Sequence, residues 1–434
     1  MKFTNSTSQA IQSNAVAVVQ SRLAPYITKL RRVIEVGGYT APECSLLAPT
    51  DEYMLQATEA IIERVYSRTL RYVFVVGIGG SNLGTKAIYD AMASIRDLSP
   101  HESPRLLFID TVDPALLAMA HKIIQAATSA DELFFLVITK SGTTTETIYN
   151  AESILAAFAD KFGGKSRRVV VLSETGSPLL AAARTQEMYT IALPPMVGGR
   201  YSVMTPVGLI PLGLLGFGPA DLQKSAARML DQCVHPDIDH NPAARSALTQ
   251  FYFYNQGIRQ HDTFVFVPAL ESVGKWYRQL LAESIGKPST TTNTPIGITP
   301  TVTVGSTDLH SVGQLYVGGP KDRLTTFVSV ASRQHDEPLT AHRAWPEVLP
   351  YLGGQTPTAV MSAIYEGTKT TYDANSLPFM EVTLPELTPE SIVAFMQFKM
   401  CEVMMLGYLL GVNPFDQPQV EQYKTVTKKL LTNL

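Results

Sequence analysis

In the first half of the chain, short runs of β-branched and aromatic residues alternate with longer stretches of helical period. The runs are Tyr72–Ile78 (YVFVVGI), Arg105–Asp110 (RLLFID), Leu133–Lys140 (LFFLVITK) and Arg167–Ser173 (RRVVVLS). That rhythm predicts βαβ units and a parallel sheet covered by helices on both faces. A second series follows, with Asp262–Ala269 (DTFVFVPA), Gly297–Gly305 (GITPTVTVG) and Arg323–Ala331 (RLTTFVSVA), then a long helix from Pro389. Ahead of both, residues 10–36 and 52–69 have helical spacing, broken at Gly37-Gly38. Between the two series, GGRYSVMTPVGLIPLGLLGFGP (198–219) is dense in glycine and proline and reads as a linker carrying short helical turns.

These patterns predict an α/β chain with two mainly parallel sheets, each flanked by helices. The expected division is an N-terminal helical segment over 1–65 and a first α/β domain over 66–205. A helical linker over 206–255 and a second α/β domain with the C-terminal helices over 256–434 complete it. A chain of 434 residues has ample material for such cores. Residues 392–412 are apolar enough to suggest a membrane span, but Lys399 and Glu402 interrupt them near the middle. Their apolar positions keep a helical period, so a buried core helix is expected and no membrane contact.

Charge and cysteine content narrow the partners. With 35 basic and 38 acidic residues the net charge is −3, which argues against a broad nucleic-acid surface and permits one local basic pocket. The three cysteines, Cys44, Cys233 and Cys401, fit neither a disulfide framework nor a zinc spacing. That usage suits a reducing cytoplasm, and the N-terminus MKFTNSTSQAIQ lacks the apolar core of a signal peptide. The one cluster resembling metal ligands, His235–Pro242 (HPDIDHNP), carries two prolines and reads as a surface turn, so no metal is expected.

The chemistry begins where the first strand runs into glycines, at FVVGIGGSNLG (74–84). Strand, glycine turn and helix together aim free backbone N–H groups at an anion. The dinucleotide pattern fails because Asn82 stands where a glycine is required, although Asp110 is placed like a ribose-binding acid. The P-loop pattern fails because Thr85-Lys86 reverses the required order. Ligands of open parallel sheets sit beyond the carboxyl ends of strands. After the third strand comes ITKSGTTTET (138–147), with one ammonium and four hydroxyls at Lys140, Ser141, Thr143, Thr144 and Thr147. Thr143 with Glu146 matches a capping box, so a helix N-terminus is expected there. Two such turns on neighbouring strands suit one compact phosphomonoester; a capped, solvated helix start is the plainer alternative.

With the second turn, the chain resembles the phosphoglucose isomerase family of bacterial type, built from two sugar isomerase (SIS) domains. The resemblance spans nearly the whole chain. Its carriers, in order, are GIGGSNLG, KSGTTTET, VGGRYSVMTPVG, LLAESIGK, GSTDLHSVGQ and FDQPQVEQYK. It implies reversible isomerisation of D-glucose 6-phosphate and D-fructose 6-phosphate through a cis-enediolate, without metal or organic cofactor. The family's base falls on Glu283, near the end of the helix in WYRQLLAESIGK, where the helix dipole disfavours the ionised form. Arg200 matches the arginine facing the enediolate, and Gly198-Gly199 before it permit close backbone approach to a ligand. His310 and Lys424 match the ring-opening pair, with Glu421 offering Lys424 a plain surface ion pair instead. If Pro418 opens a helix, Gln417 and Lys424 lie near one face, about two turns apart.

Phosphate binding falls on Gly80, Ser81, Thr139, Lys140, Ser141 and Thr144, with Gln417 nearby. The resemblance further implies a homodimer with the histidine supplied by the neighbouring subunit. One departure stands out: Gln419 replaces the small residue usual after FDQ-Pro or FDQ-Trp, which leaves two effects open, crowding at the entry to the last helix or an altered contact of that helix with the sugar. Two other readings remain open, a non-catalytic sugar-phosphate-binding SIS regulator and a nicotinamide-dependent dehydrogenase using the first glycine turn.

Overall fold

The computed structural model describes residues 1–4, 13–96, 104–164, 166–332, 336–340 and 342–433. The chain opens on Lys2–Thr4 (β1). The first sheet is built from Tyr72–Val76 (β2), Arg105–Ile109 (β3), Leu133–Ile138 (β4), Val169–Glu174 (β5) and Tyr189–Leu193 (β6). Its order is β3-β2-β4-β5-β6, and every pairing is parallel. The second sheet takes Gln260–Val265 (β7), skips a small antiparallel hairpin of Lys287–Pro288 (β8) and Pro295–Ile296 (β9), and continues with Thr299–Val304 (β10), Arg323–Ser332 (β11) and Phe379–Glu386 (β12). Its order is β1-β12-β11-β7-β10, parallel except for β1, which runs antiparallel to β12 in the register Phe3↔Val382. Both sheets are thus of the mainly parallel, helix-flanked kind that the alternating pattern predicts.

The continuous apolar runs explain why the central strands sit between two layers of helices. All six residues of β4 are buried, as are Val73 to Val76 of β2. A strand apolar on both faces is stable only with helices above and below it. The helices on the facing sides of the two sheets bring the halves together. Helix Leu83–Arg96 of the first half packs against helix Glu271–Ile285 of the second. The latter also packs on Pro389–Leu410, which in turn lies against helices Pro219–Cys233 and Pro242–Asn255.

Pro389–Leu410 is long and apolar enough to cross a membrane, yet 89% of its apolar window is buried within the protein. It is the core helix its periodicity predicts. The two charges that interrupt it, Lys399 and Glu402, pair with each other at 2.7 Å and are both fully buried. Glu402 also accepts from Tyr277 Oη at 2.6 Å and from the Ser246 hydroxyl. A buried pair survives only when its remaining polar atoms are satisfied in this way.

Four local expectations change. The N-terminal segment is not purely helical, because Lys2–Thr4 is a strand of the distant second sheet. Three residues are too few for a period-2 signal. β6 and β12 complete the sheets without having stood out in the sequence, since both are only partly apolar. The glycine- and proline-rich stretch, expected to be a linker carrying short helical turns, does carry helix Pro206–Leu214, but every residue of it except Gly213 is buried, so this part is core. Finally, helix Thr145–Phe162 is capped by Thr144 rather than Thr143, with no side-chain cap bond at all. The Thr143 hydroxyl instead meets Ser141 Oγ at 3.2 Å, so the capping box is not formed.

Candidate active site

Beyond the carboxyl ends of β2 and β4, a cleft of about 510 Å³ opens between the two halves. Its size falls within the usual range for a small-molecule pocket. The first half supplies Gly80 and Ser81 from the turn Gly79–Ser81, and Thr139, Lys140, Ser141 and Thr144 from the turn after β4. The second half supplies Gln279 and Glu283 from helix Glu271–Ile285. Gln417 and Lys424 come from the C-terminal segment, and Arg200 from the short turn Gly199–Tyr201. Of the catalytic and phosphate-binding residues expected from the sequence, only His310 lies elsewhere. It ends the exposed turn Thr307–His310 and does not line the cleft.

The phosphate-type wall is held by short side-chain contacts. Thr139 is buried, and its hydroxyl pairs with that of Thr144 at 2.8 Å, tying the turn after β4 to the N-cap of the following helix. Gly142, at φ +69°, makes the bend between them. The Lys140 ammonium sits against this wall. Partial desolvation, opposed by the Glu174 carboxylate and reinforced by the Arg200 charge, holds its pKa below the ordinary lysine value. An ammonium short of counter-charge beside a helix N-terminus is a ready donor site for an anion.

Gly80 is where the first glycine turn acquires its physical reason. A Cβ there would stand 2.2 Å from the Gly199 carbonyl carbon and 2.4 Å from the Arg200 nitrogen. The glycine lets two turns from opposite sides of the cleft touch backbone to backbone. The close approach expected of Gly199 toward a ligand is thus an approach to Gly80, and it fixes Arg200 relative to the cradle.

Arg200 is buried and almost saturated. Its Nε donates to Ser284 Oγ at 2.8 Å, Nη1 to Gln417 Oε1 at 2.7 Å, and Nη2 to the carbonyls of Pro414 at 2.6 Å and Asp416 at 3.0 Å. Nη1 also lies 3.5 Å from Glu283 Oε2. A planar guanidinium bound along its whole edge cannot swing away, which makes it a fixed cation facing the cleft. The Glu283 carboxylate is one-third exposed and held on its other oxygen by Gln279 Nε2 at 3.1 Å. It sits in the last turn of its helix, whose backbone ends at the Gly286 cap. Gln279 and Ser284, which no sequence motif singles out for a role, therefore orient Glu283 and Arg200. The four-residue step from Gln279 to Glu283 was a readable helical pair; nothing local marks Ser284 as a partner of Arg200.

At the mouth, Lys424 Nζ bonds Glu421 Oε1 at 2.6 Å, the plain ion pair that its spacing allowed, and both residues line the cleft. Pro418 opens a short turn, Pro418–Val420, and the helix proper is Glu421–Thr432. Gln419 is exposed in that turn, outside the cleft lining and without a positive φ. Asp110, the one acid placed for a ribose, accepts from the buried Asn82 side chain at 3.2 Å. In His235–Pro242, Asp237 caps one turn and Asn241 the next helix; among the described residues no group of acids, histidines or cysteines is arranged around a metal site.

Two mainly parallel, helix-flanked sheets, with a hydroxyl-and-amide cradle beyond the carboxyl ends of β2 and β4, define an α/β protein whose site is shaped for a phosphate group. The chain belongs to the phosphoglucose isomerase family, whose family model matches residues 63–434. It is 32% identical over 384 residues to a glucose-6-phosphate isomerase of Rubrobacter xylanophilus, covering 87% of each chain. It is 33% identical over 359 residues to that of Bacillus anthracis, covering 81% of this chain and 78% of the other. Among solved structures, a hypothetical protein of Thermus thermophilus superposes with a TM-score of 0.86 at 26% identity, covering 99% of this chain and all of that one. A glucose-6-phosphate isomerase of Chlamydia trachomatis shares the fold, with a TM-score of 0.82 at 18% identity and coverage of 99% and 88%.

Proposed function

We propose that the chain reversibly interconverts D-glucose 6-phosphate and D-fructose 6-phosphate, an aldose–ketose isomerisation of glycolysis and gluconeogenesis. The observation that carries this reading is the shared cleft, in which a phosphate cradle from one half faces a carboxylate and a guanidinium 3.5 Å apart from elsewhere in the chain. Family membership supports the same reaction. A sensor that only bound the sugar phosphate would need the cradle alone.

In this mechanism Ser81, Thr139, Lys140, Ser141 and Thr144, with backbone N–H groups around Gly80, grip the phosphoryl group. That grip, remote from the reacting carbons, orients the open chain. Lys424, with His310, moves protons at the ring oxygen and the O1 hydroxyl to open the ring. Glu283 then removes the proton from C2 and returns it to C1 on the same face. Negative charge grows on the carbonyl oxygen as the enediolate forms, and the immobile Arg200 faces it without reorganising. Gln417, bonded to Arg200 and lining the cleft, offers its amide to the phosphorylated sugar.

His310 is exposed and outside its own chain's cleft, which supports a homodimer in which each histidine serves the other subunit's site. A two-fold arrangement makes that exchange reciprocal. The three buried free cysteines fit a cytoplasmic setting.

The direct test is a coupled assay with fructose 6-phosphate on wild type and Glu283→Gln, with and without chelator. Wild type should turn over in both conditions, and the variant should lose at least about a hundredfold in kcat. Retained activity in Glu283→Gln would remove it as the base. Co-expression of Glu283→Gln with His310→Ala tests the exchange of histidines. Each homodimer is then defective, while a mixed dimer has one site with both native residues, so about a quarter of wild-type activity should return. No recovery would place His310 in its own chain's site or in none.

A further inference from the structure

A second buried cation stands directly behind the cleft. Lys287, two residues beyond the helix that carries Glu283, is 7% exposed and does not line the pocket. Its ammonium donates to the Asn413 carbonyl at 2.7 Å, the Asp416 carbonyl at 2.5 Å and the Asp416 carboxylate at 2.9 Å. Three acceptors match its three N–H groups, so the side chain is satisfied without any ligand. The Asp416 carbonyl is the same oxygen that accepts from Arg200 Nη2. Segment 413–417 has no helix or strand of its own, yet it presents Gln417 to Arg200 and leads into the helix bearing Lys424. Within it, Asn413 Nδ2 donates to Asp416 Oδ2 at 2.7 Å and Asn413 Oδ1 accepts from the Phe415 N–H at 3.1 Å.

We propose that Lys287 is a positioning residue, whose ammonium clamps segment 413–417 to the end of the Glu283 helix and so sets the placement of Gln417, Arg200 and Lys424. It acts at a distance from the substrate. Arg200 holds the segment from the cleft side and Lys287 from the protein side; with one of the two gone, the bonded geometry of the other loses its fixed acceptor. The phosphate cradle is carried by the turns after β2 and β4, with Gly80 against the Arg200 backbone, so phosphate binding should depend on the clamp less than turnover does. The inference rests on the isomerase reading for its kinetic consequence but not for its structural one.

The test uses the full-length protein with Lys287→Met, Gln417→Ala and the double variant, alongside wild type. Lys287→Met should lose tenfold to a hundredfold in kcat, on the order expected for misplacement by about 1 Å, with KM changed less than about threefold. Adding it to Gln417→Ala should cost less than about threefold more, because both changes break one coupled arrangement. Hydrogen exchange supplies the reading that is independent of activity. In Lys287→Met, amides of 413–424 should exchange faster while those of the first sheet stay unchanged. Should Lys287→Met fail to fold, Asp416→Ala removes one of the three acceptors from a half-exposed position; it should raise exchange over the same segment and lower kcat at least threefold. Wild-type kcat in a folded Lys287→Met, or unchanged exchange over 413–424, would overturn the clamp. An inactive wild type would instead sink the isomerase reading, and exchange would still decide on Lys287.

Discussion

Replacing Gly80 by alanine adds one methyl group at the place where the two walls of the cleft touch. Gly80 has no positive φ, so alanine suits its backbone and the whole effect is steric. The new Cβ would stand 2.2 Å from the Gly199 carbonyl carbon, 2.4 Å from the Arg200 nitrogen and 2.6 Å from the Gly199 oxygen. All three are main-chain atoms, with no side chain to rotate away. Restoring ordinary contact requires the backbones to part by about 1 Å. Such overpacking costs about 1–3 kcal/mol, which a core of this extent survives. Arg200 is fixed to Ser284, Pro414 and Asp416, so it stays with the second half while the cradle shifts. The distance from phosphate site to guanidinium then grows by about the same 1 Å, a displacement that costs on the order of a hundredfold in rate.

The assay is steady-state kinetics in the fructose 6-phosphate direction, with thermal unfolding measured on the same preparations. Gly216→Ala is the control, because φ is +88° there and no atom lies within 4 Å of the added methyl. It should lower stability by about 1 kcal/mol through backbone strain and leave kcat untouched. A Gly80→Ala enzyme within threefold of wild-type kcat would refute the reasoning, since the contact between the turns would then have no bearing on the site.

Other outcomes follow from the same geometry. Lys140→Ala should raise KM roughly tenfold to a hundredfold through loss of a charge-assisted bond to phosphate, with a smaller change in kcat; an unchanged KM would count against the cradle. Lys399→Met should destabilise by about 3–5 kcal/mol, read as a fall in melting temperature, because it leaves the Glu402 carboxylate buried without its counter-charge. Below the same network, burial and the Lys399 ammonium push the His261 imidazole down to about 3. The native state therefore refuses a proton that the unfolded chain takes up below about pH 6.5, and stability falls as pH drops through that window. At pH 5 the loss is about 2 kcal/mol; a His261→Gln variant should lack this part of the acid sensitivity, and identical pH dependence in the two proteins would contradict it.

The elements that were readable in sequence are those whose signal is local. Val73–Val76 and Leu133–Ile138 are continuous apolar runs, and the hydroxyls of the 139–147 turn lie within a few residues of one another. Glu283 and Arg200 were readable only through resemblance, because the groups that define their geometry are remote. Arg200 reaches Ser284 across 84 positions and Pro414 across 214. No window of sequence contains such a contact. Helix Pro206–Leu214 misled for a different reason, since its prolines and glycines signal a turn while burial depends on which helices pack around it. The capping box failed because the Thr143 and Thr144 hydroxyls found nearby hydroxyl partners that compete with the cap.

The pairing of Lys2–Thr4 with residues 381–383 joins two segments that lie nearly the whole described chain apart. At ordinary elongation speeds roughly 20–80 s separate their emergence from the ribosome. Through that interval the N-terminal strand has no sheet to join. Even a finished β12 exposes a bare edge until Lys2–Thr4 returns to cover it. Phe3→Asp, which puts a charge opposite Val382, should burden this step of maturation.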